Sequence, residues 1–307
     1  MWGTGETANV NTQFETALAP VANHGSYTKA QFSSGGVGLR NRGTGAISIS
    51  GVVAPVKAAF VYWAVITQGA PVAANKKIMV QRLSPTPASA IVTVAGTSIG
   101  TGPTPCWAGN MITVFRGTLP ASLASGNGLY QITLPAGASG SINGEDPWVL
   151  TNALPQMEGA SIVIVGTGTA TQRVVIFDKG IAGKTFAGNP GLSYSLTLPV
   201  ATTGTLTLFE SIGADGQHGS GRTADAGFAD ESTVINDVYI AGPFSTHNDS
   251  DWNGNTSEPL PQLWDDMGHD ITAATPSGTK VLNVAIGNEG ETSYDCMTPV
   301  ANVIQEQ

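Results

Sequence analysis

Charge is what this sequence has least of: Asp, Glu, Lys and Arg make up 11% of its 307 residues. Its 13 basic residues form no cluster, and the net charge is −9. Phosphate backbones are bound through clustered Lys and Arg, so nucleic acid is excluded as a partner. Long hydrophobic runs are missing too. The longest, Val52–Thr67, is broken by Pro55 and Lys57, too short and interrupted to cross a bilayer. Met1-Trp2-Gly3 lacks the basic start and apolar core of a secretion signal. If the chain is secreted, the sequence is expected to begin at or near its mature end. Extended helix-forming stretches are absent, while Gly, Ser, Thr, Ala and Asn abound. That balance predicts an all-β extracellular protein.

Catalytic signatures are equally scarce. Gly183-Lys184-Thr185 resembles the end of a phosphate-binding loop, but the glycine required five positions earlier is Asp178. Gly166-Thr167-Gly168 follows an apolar strand, yet the third glycine of a dinucleotide fingerprint is Thr171. H-E-x-x-H and C-x-x-C do not occur. Asp265-Asp266 is a pair of acids, but adjacent residues of a strand point to opposite faces. A glycosidase would need two carboxylates facing one groove about 5–10 Å apart, and remains the third functional reading.

What is present is short strands. Val56–Thr67 (VKAAFVYWAVIT) is apolar on both faces and predicts a central strand. Ser193–Leu198 and Thr203–Phe209 alternate cleanly one loop apart, as a hairpin would. About a dozen such segments, parted by Gly, Pro, Asn and Ser, predict an antiparallel β-sandwich of jelly-roll type. The pattern admits two packed sub-sandwiches with a seam near 143–157. Residues 1–34 read as an N-terminal extension and assembly arm, 35–307 as the sandwich module. No repeat period is visible.

The acids that do occur are concentrated. Twelve of 22 lie between Glu210 and Asp270, against one base, Arg222. Asp249-Ser250-Asp251-Trp252-Asn253-Gly254 opens like a calcium loop, with oxygen ligands at positions 1, 3 and 5 and a glycine turn at 6. Position 12 is Leu260 where an EF-hand needs Glu, so an intact EF-hand is excluded. The expected Ca²⁺ site is Asp249, Asp251, Asn253 and Glu258, completed by Asp215 from a second tight turn or by Asp265. Asp265, Asp266 and Asp270 read as a third turn cluster. His218, His247 and His269 follow no zinc spacing. Trp63 reads as core. Trp252 fits either sugar stacking or packing under its loop. Cys106 and Cys296 either pair, closing a long loop worth about 5 kcal/mol, or stay as buried thiols.

Several segments resemble secreted bacterial β-sandwich modules of large surface and adhesin-like proteins. They are Gly36–Arg40 with Gly43–Ile49, Val56–Trp63, Gly102–Trp107, Glu158–Val165, Arg173–Asp178, Ile212–Gln217 and Asp295-Cys296. The resemblance covers about Gly35 to the end. It implies an extracellular sandwich without catalytic residues and a Cys106–Cys296 disulfide. The expectation is therefore a non-enzymatic, self-associating subunit of a surface layer, fibre or matrix, whose partner is another copy of itself. A carbohydrate-binding adhesin module is the alternative, with a glycan as partner.

Overall fold

The computed structural model describes residues 16–17, 21, 23–104, 107, 109–124, 126–145, 153–184, 191–214, 231–242, 252, 263–288 and 296–307. The chain is all-β, with four sheets stacked in sandwich fashion. The first outer sheet has the order β4 (Thr44–Ile49), β10 (Gly128–Thr133), β6 (Lys77–Arg82), β7 (Val92–Ala95). The first inner sheet runs β3 (Ala30–Gly38), β11 (Gln156–Thr167), β5 (Ala58–Thr67), β9 (Met111–Thr118), β8 (Thr97–Pro103). The second inner sheet runs β17 (Trp264–Asp270), β14 (Thr207–Ala214), β19 (Thr298–Glu306), β12 (Arg173–Phe177), β2 (Asn23–Thr28). The second outer sheet runs β1 (Thr16–Ala17), β13 (Leu192–Thr197), β18 (Val281–Asn288), β15 (Glu231–Ile235), β16 (Val238–Ala241).

Three cores separate the four sheets. Val61, Trp63 and Val65 face Ile47, Val80 and Tyr130 in the first sandwich. Phe177 and Phe209 face Tyr194 and Val284 in the second. Between the inner sheets, Phe60, Tyr62, Ala64, Val163 and Val165 meet Val174, Ile176, Ile212, Trp264 and Val303. β5 is therefore sandwiched between two cores, which is why its sequence is apolar on both faces. Trp63 is fully buried and stacks on Phe115 with ring centroids 5.5 Å apart.

The two sandwiches repeat one topology. The inner order β3-β11-β5-β9 matches β12-β19-β14-β17, and the outer order β4-β10-β6-β7 matches β13-β18-β15-β16. In each half the chain alternates between inner and outer sheet in the same sequence. The chain enters the first sandwich between Thr28 and Ala30 and returns to the second between Thr167 and Arg173. β1, β2 and β8 are additions to the repeated unit.

Three local expectations change. The segments 193–198 and 203–209 do not form a hairpin: β13 pairs with β18 in an outer sheet, and β14 with β17 and β19 in an inner one. Tyr194 and Phe209 face each other across the core instead of sharing a ladder. The run Thr233–Ile240, which by its apolar content reads as one strand, is two, because Asn236 and Asp237 adopt left-handed backbone (φ 48° and 64°) and close a hairpin. Residues 23–28 and 30–34, placed by sequence in the N-terminal extension, lie in β2 and β3, at the edges of the two inner sheets.

Candidate functional site: the seam between the sandwiches

Most of the described buried charge lies at or beside the seam where the two inner sheets meet. On one flank, β2 is irregular between its partners Ile176 and Phe177, so that His24 is the extra residue. A bulge of this kind re-aims a side chain. His24 meets Phe60 edge-on at 5.1 Å, on the face turned toward β5. Tyr62 and Arg116 are directly opposed on β5 and β9. Both reach Asp178, just past β12: the Tyr62 hydroxyl donates to Oδ2 at 3.2 Å, and Arg116 Nη1 pairs with the same oxygen. Asp178 is fully buried. Burial, reinforced by the Asp178 charge, pushes the Tyr62 phenol well above its ordinary range. Burial lowers the His24 imidazole, with Asp178 opposing the shift.

On the other flank, β14 and β17 place Ile212 opposite Asp266 and Glu210 opposite Gly268. Glu210, Ile212, Trp264 and Asp266 thus share the face turned toward β3 and β11. The Asp266 carboxyl hydrogen-bonds to Glu210, Ser161 and Ser34. Burial raises it above the usual carboxylate range, and those hydrogen bonds offset part of the rise. Two carboxyls bond each other through a proton held by one of them. Trp264 Nε1 donates to Ser161 Oγ at 2.9 Å and so fixes the serine. A Cβ added at Gly268 would lie 2.5 Å from Glu210 Oε2. The exposed backbone of Gly268 therefore lies directly beside this acid.

A third group lies near the end of the seam where β11 begins. Arg40 and Glu158 are both fully buried and paired through two bonds, Nε to Oε1 at 3.1 Å and Nη2 to Oε2. The guanidinium lies 5.0 Å from the Trp107 ring. The ends of β14, β17 and β19 converge in the second inner sheet, Ala214 pairing with both Trp264 and Thr298. Trp252 is buried there against Gly213, where an added Cβ would come within 2.2 Å of its ring.

Of the expected site residues, Asp215, Asp249, Asp251, Asn253, Glu258 and Cys106 lie outside the described residues. Cys296 is buried, at 1% exposure. Among the described residues, no group of three or more His, Cys, Asp or Glu is placed to hold a metal ion. Asp265, Asp266 and Asp270 are not a turn cluster: all three are in β17, with Asp265 and Asp266 on opposite faces. Trp252 and Trp264 are core residues, at 1% and 0% exposure. Gly96-Thr97-Ser98-Ile99-Gly100 has the spacing of a serine-hydrolase elbow. It lies in and just before β8, an extended edge strand in which Ser98 pairs with Phe115, and no helix follows. Sequence gave no sign of the Glu210–Asp266 pair or of the Arg116–Asp178–Tyr62 group. Only the strand register brings those residues together.

No protein-family model and no curated protein matches the chain. Among solved structures, one of N-glycanase F (PNGase F) aligns with 91% of this chain and 96% of its own, at 13% identity and a TM-score of 0.27. That degree of overlap assigns neither a site nor an activity.

Proposed function

We propose that the chain is an extracellular, non-enzymatic structural protein, a self-associating subunit of a surface layer, fibre or matrix, stabilised by calcium. The observation that carries this reading is the closed seam. Two sandwiches of one topology are joined through a continuous apolar core. The described charges along that core bond to one another, as Arg116 does to Asp178 and Glu210 to Asp266. Domains that work a cleft between them keep polar, separable interfaces. This seam suits a rigid block that bears load.

The other readings have less support. A sugar-binding face built on Trp252 and Trp264 would need exposed rings, and both rings are packed inside. A glycosidase needs two acids separated across a groove, whereas Glu210 and Asp266 are in direct hydrogen-bond contact. The calcium part of the proposal draws on one described anchor. Trp252, the chain neighbour of Asp251 and Asn253, packs on Gly213, two residues before Asp215.

Electron microscopy with light scattering of the purified protein tests the reading. Fibres, sheets or concentration-dependent oligomers are expected. Single particles of one chain at every concentration would overturn it, and binding on a glycan array would favour the adhesin instead.

A further inference from the structure

Charge is divided unequally between the two sandwiches. Residues 30–167, which run through the first, hold seven basic and three acidic residues, a net of +4. Residues 168–307, which supply most of the second, hold five basic and seventeen acidic residues, a net of −12. The Arg116–Asp178 pair cancels one charge from each across the seam, leaving +3 against −11. The outer sheets carry the same bias. The strands of the first outer sheet contain no acid and two bases, Lys77 and Arg82, at the two ends of β6. Lys76 and Lys77 are exposed. Among the described residues, neither these lysines nor Arg82 has an ion-pair partner. The strands of the second outer sheet contain one acid, Glu231, and no base. Asp237 adds an exposed acid in the turn between β15 and β16.

We infer that copies associate head to tail along the sheet stack, the basic first outer sheet of one chain meeting the acidic second sandwich of the next. The inference rests on the self-association proposed above and gives it a direction. Packed sheets lie about 10 Å apart, so a stack of four puts its two outer sheets roughly 30 Å apart. At physiological ionic strength the Debye length is about 8 Å. Each end is therefore screened from the other end of its own chain, and a neighbour meets local charge and not the net −9. Two second sandwiches brought together repel strongly, and two first sandwiches repel as well. Only the unlike pairing attracts. The continuous core of the seam holds the two unlike ends on opposite sides of one rigid block. A contact between opposite ends repeats without closing and grows a fibre. Such complementarity acts chiefly on encounter, raising association rates by about 10- to 1,000-fold.

The test follows assembly of the full-length chain by light scattering, at one calcium concentration, as salt rises from about 0.01 to about 1 M and the Debye length falls from about 30 to about 3 Å. Wild-type growth is expected to slow by about tenfold or more across that range. Lys76→Glu with Lys77→Glu should slow growth at low salt and match wild type at high salt, with an unchanged melting transition because both side chains are exposed. Lys179→Glu with Lys280→Glu changes the net charge by the same amount, at exposed positions of the second sandwich. It should leave growth at low salt as fast as wild type or faster. Equal slowing by the two pairs would mean that net charge alone governs assembly, and would overturn the directed contact. Growth indifferent to salt, or to Lys76→Glu with Lys77→Glu, would overturn it too and leave self-association standing. Wild-type protein that never assembles would overturn both.

Discussion

The carboxyls of Glu210 and Asp266, from neighbouring strands of one inner sheet, hydrogen-bond to each other at the seam, with Ser34 and Ser161 of the other sandwich beside them. Glu210 and Asp266 are the titratable groups here; β3 and β11 offer serines and glycine, while Asp265 and His269 point to the other face of β17. Because burial raises Asp266 above 3.8, the folded chain holds a proton that the unfolded chain releases. The pair's contribution is complete below that ordinary value and is lost as pH rises through the raised one. Melting temperature should therefore fall as pH rises from about 4 toward neutrality. Glu210→Gln replaces the shared proton with a permanent donor. It should flatten the profile and raise Tm near pH 7 by a few degrees, the shift that about 1 kcal/mol produces in a large domain. Parallel profiles for variant and wild type would refute the shared proton.

Trp252 and Gly213 make a second specific fit. With a Cβ at Gly213 lying 2.2 Å from the indole, even Gly213→Ala must push the ring out. The expected cost is about 1–3 kcal/mol for overpacking, with a red-shifted tryptophan emission. Trp252→Ala should cost more, about 3–5 kcal/mol. An unchanged spectrum in Gly213→Ala would show that the ring is not held there.

The contrast between two strands explains how much was legible beforehand. β5 was readable because burial on both faces writes an unbroken apolar run. β3 (AQFSSGGVG) was not, because its small residues answer to a neighbour distant in sequence. A Cβ at Gly36 would lie 2.8–3.0 Å from Ser161, Asp266 and Trp264. β17 (WDDMGHD) reads as an acidic turn by composition, yet tertiary pairing with β14 holds it extended. Likewise, the repeat survives in strand order and not in residue pattern, so no sequence period betrays it. Carboxyls meeting from β14 and β17 have no local signature, since register alone aligns them.

The Arg40–Glu158 pair predicts an asymmetric mutational response. Taking two charges out of water is costly, and their mutual bonds offset that cost only while both are present. Arg40→Met alone, or Glu158→Leu alone, should destabilise by about 3–5 kcal/mol. The double variant should recover most of the loss, because apolar replacements leave no buried charge behind. Denaturant titration of the three variants gives the coupling directly. Additive losses would mean that the two side chains do not act as a pair.

Calcium gives a prediction that is independent of the seam. A ligand bound to the folded chain at 100 times its Kd adds about 2.7 kcal/mol. EDTA should lower Tm, and Asp249→Ala with Asp251→Ala should remove the EDTA effect while lowering Tm in calcium. A melting temperature indifferent to EDTA would reject the site.

The pairing of Cys106 with Cys296 is proposed from sequence, and described neighbours support it. Gly102 lies so close to Gly183 that an added Cβ would be 2.2 Å from its carbonyl oxygen. Gly183 N in turn donates to Pro299 O at 3.2 Å. The chain just before Cys106 and the chain just after Cys296 are thus gathered around one residue. A bond there would tie the first sandwich to the last strand of the second, closing a loop worth about 5 kcal/mol in the chain-entropy model. Unfolded protein kept free of reductant should take up no thiol label, and after reduction it should take up two. Reduction should lower Tm, and Cys106→Ser with Cys296→Ser should match the reduced protein. Thiol labelling of the unreduced, unfolded chain would show that the two cysteines are not joined.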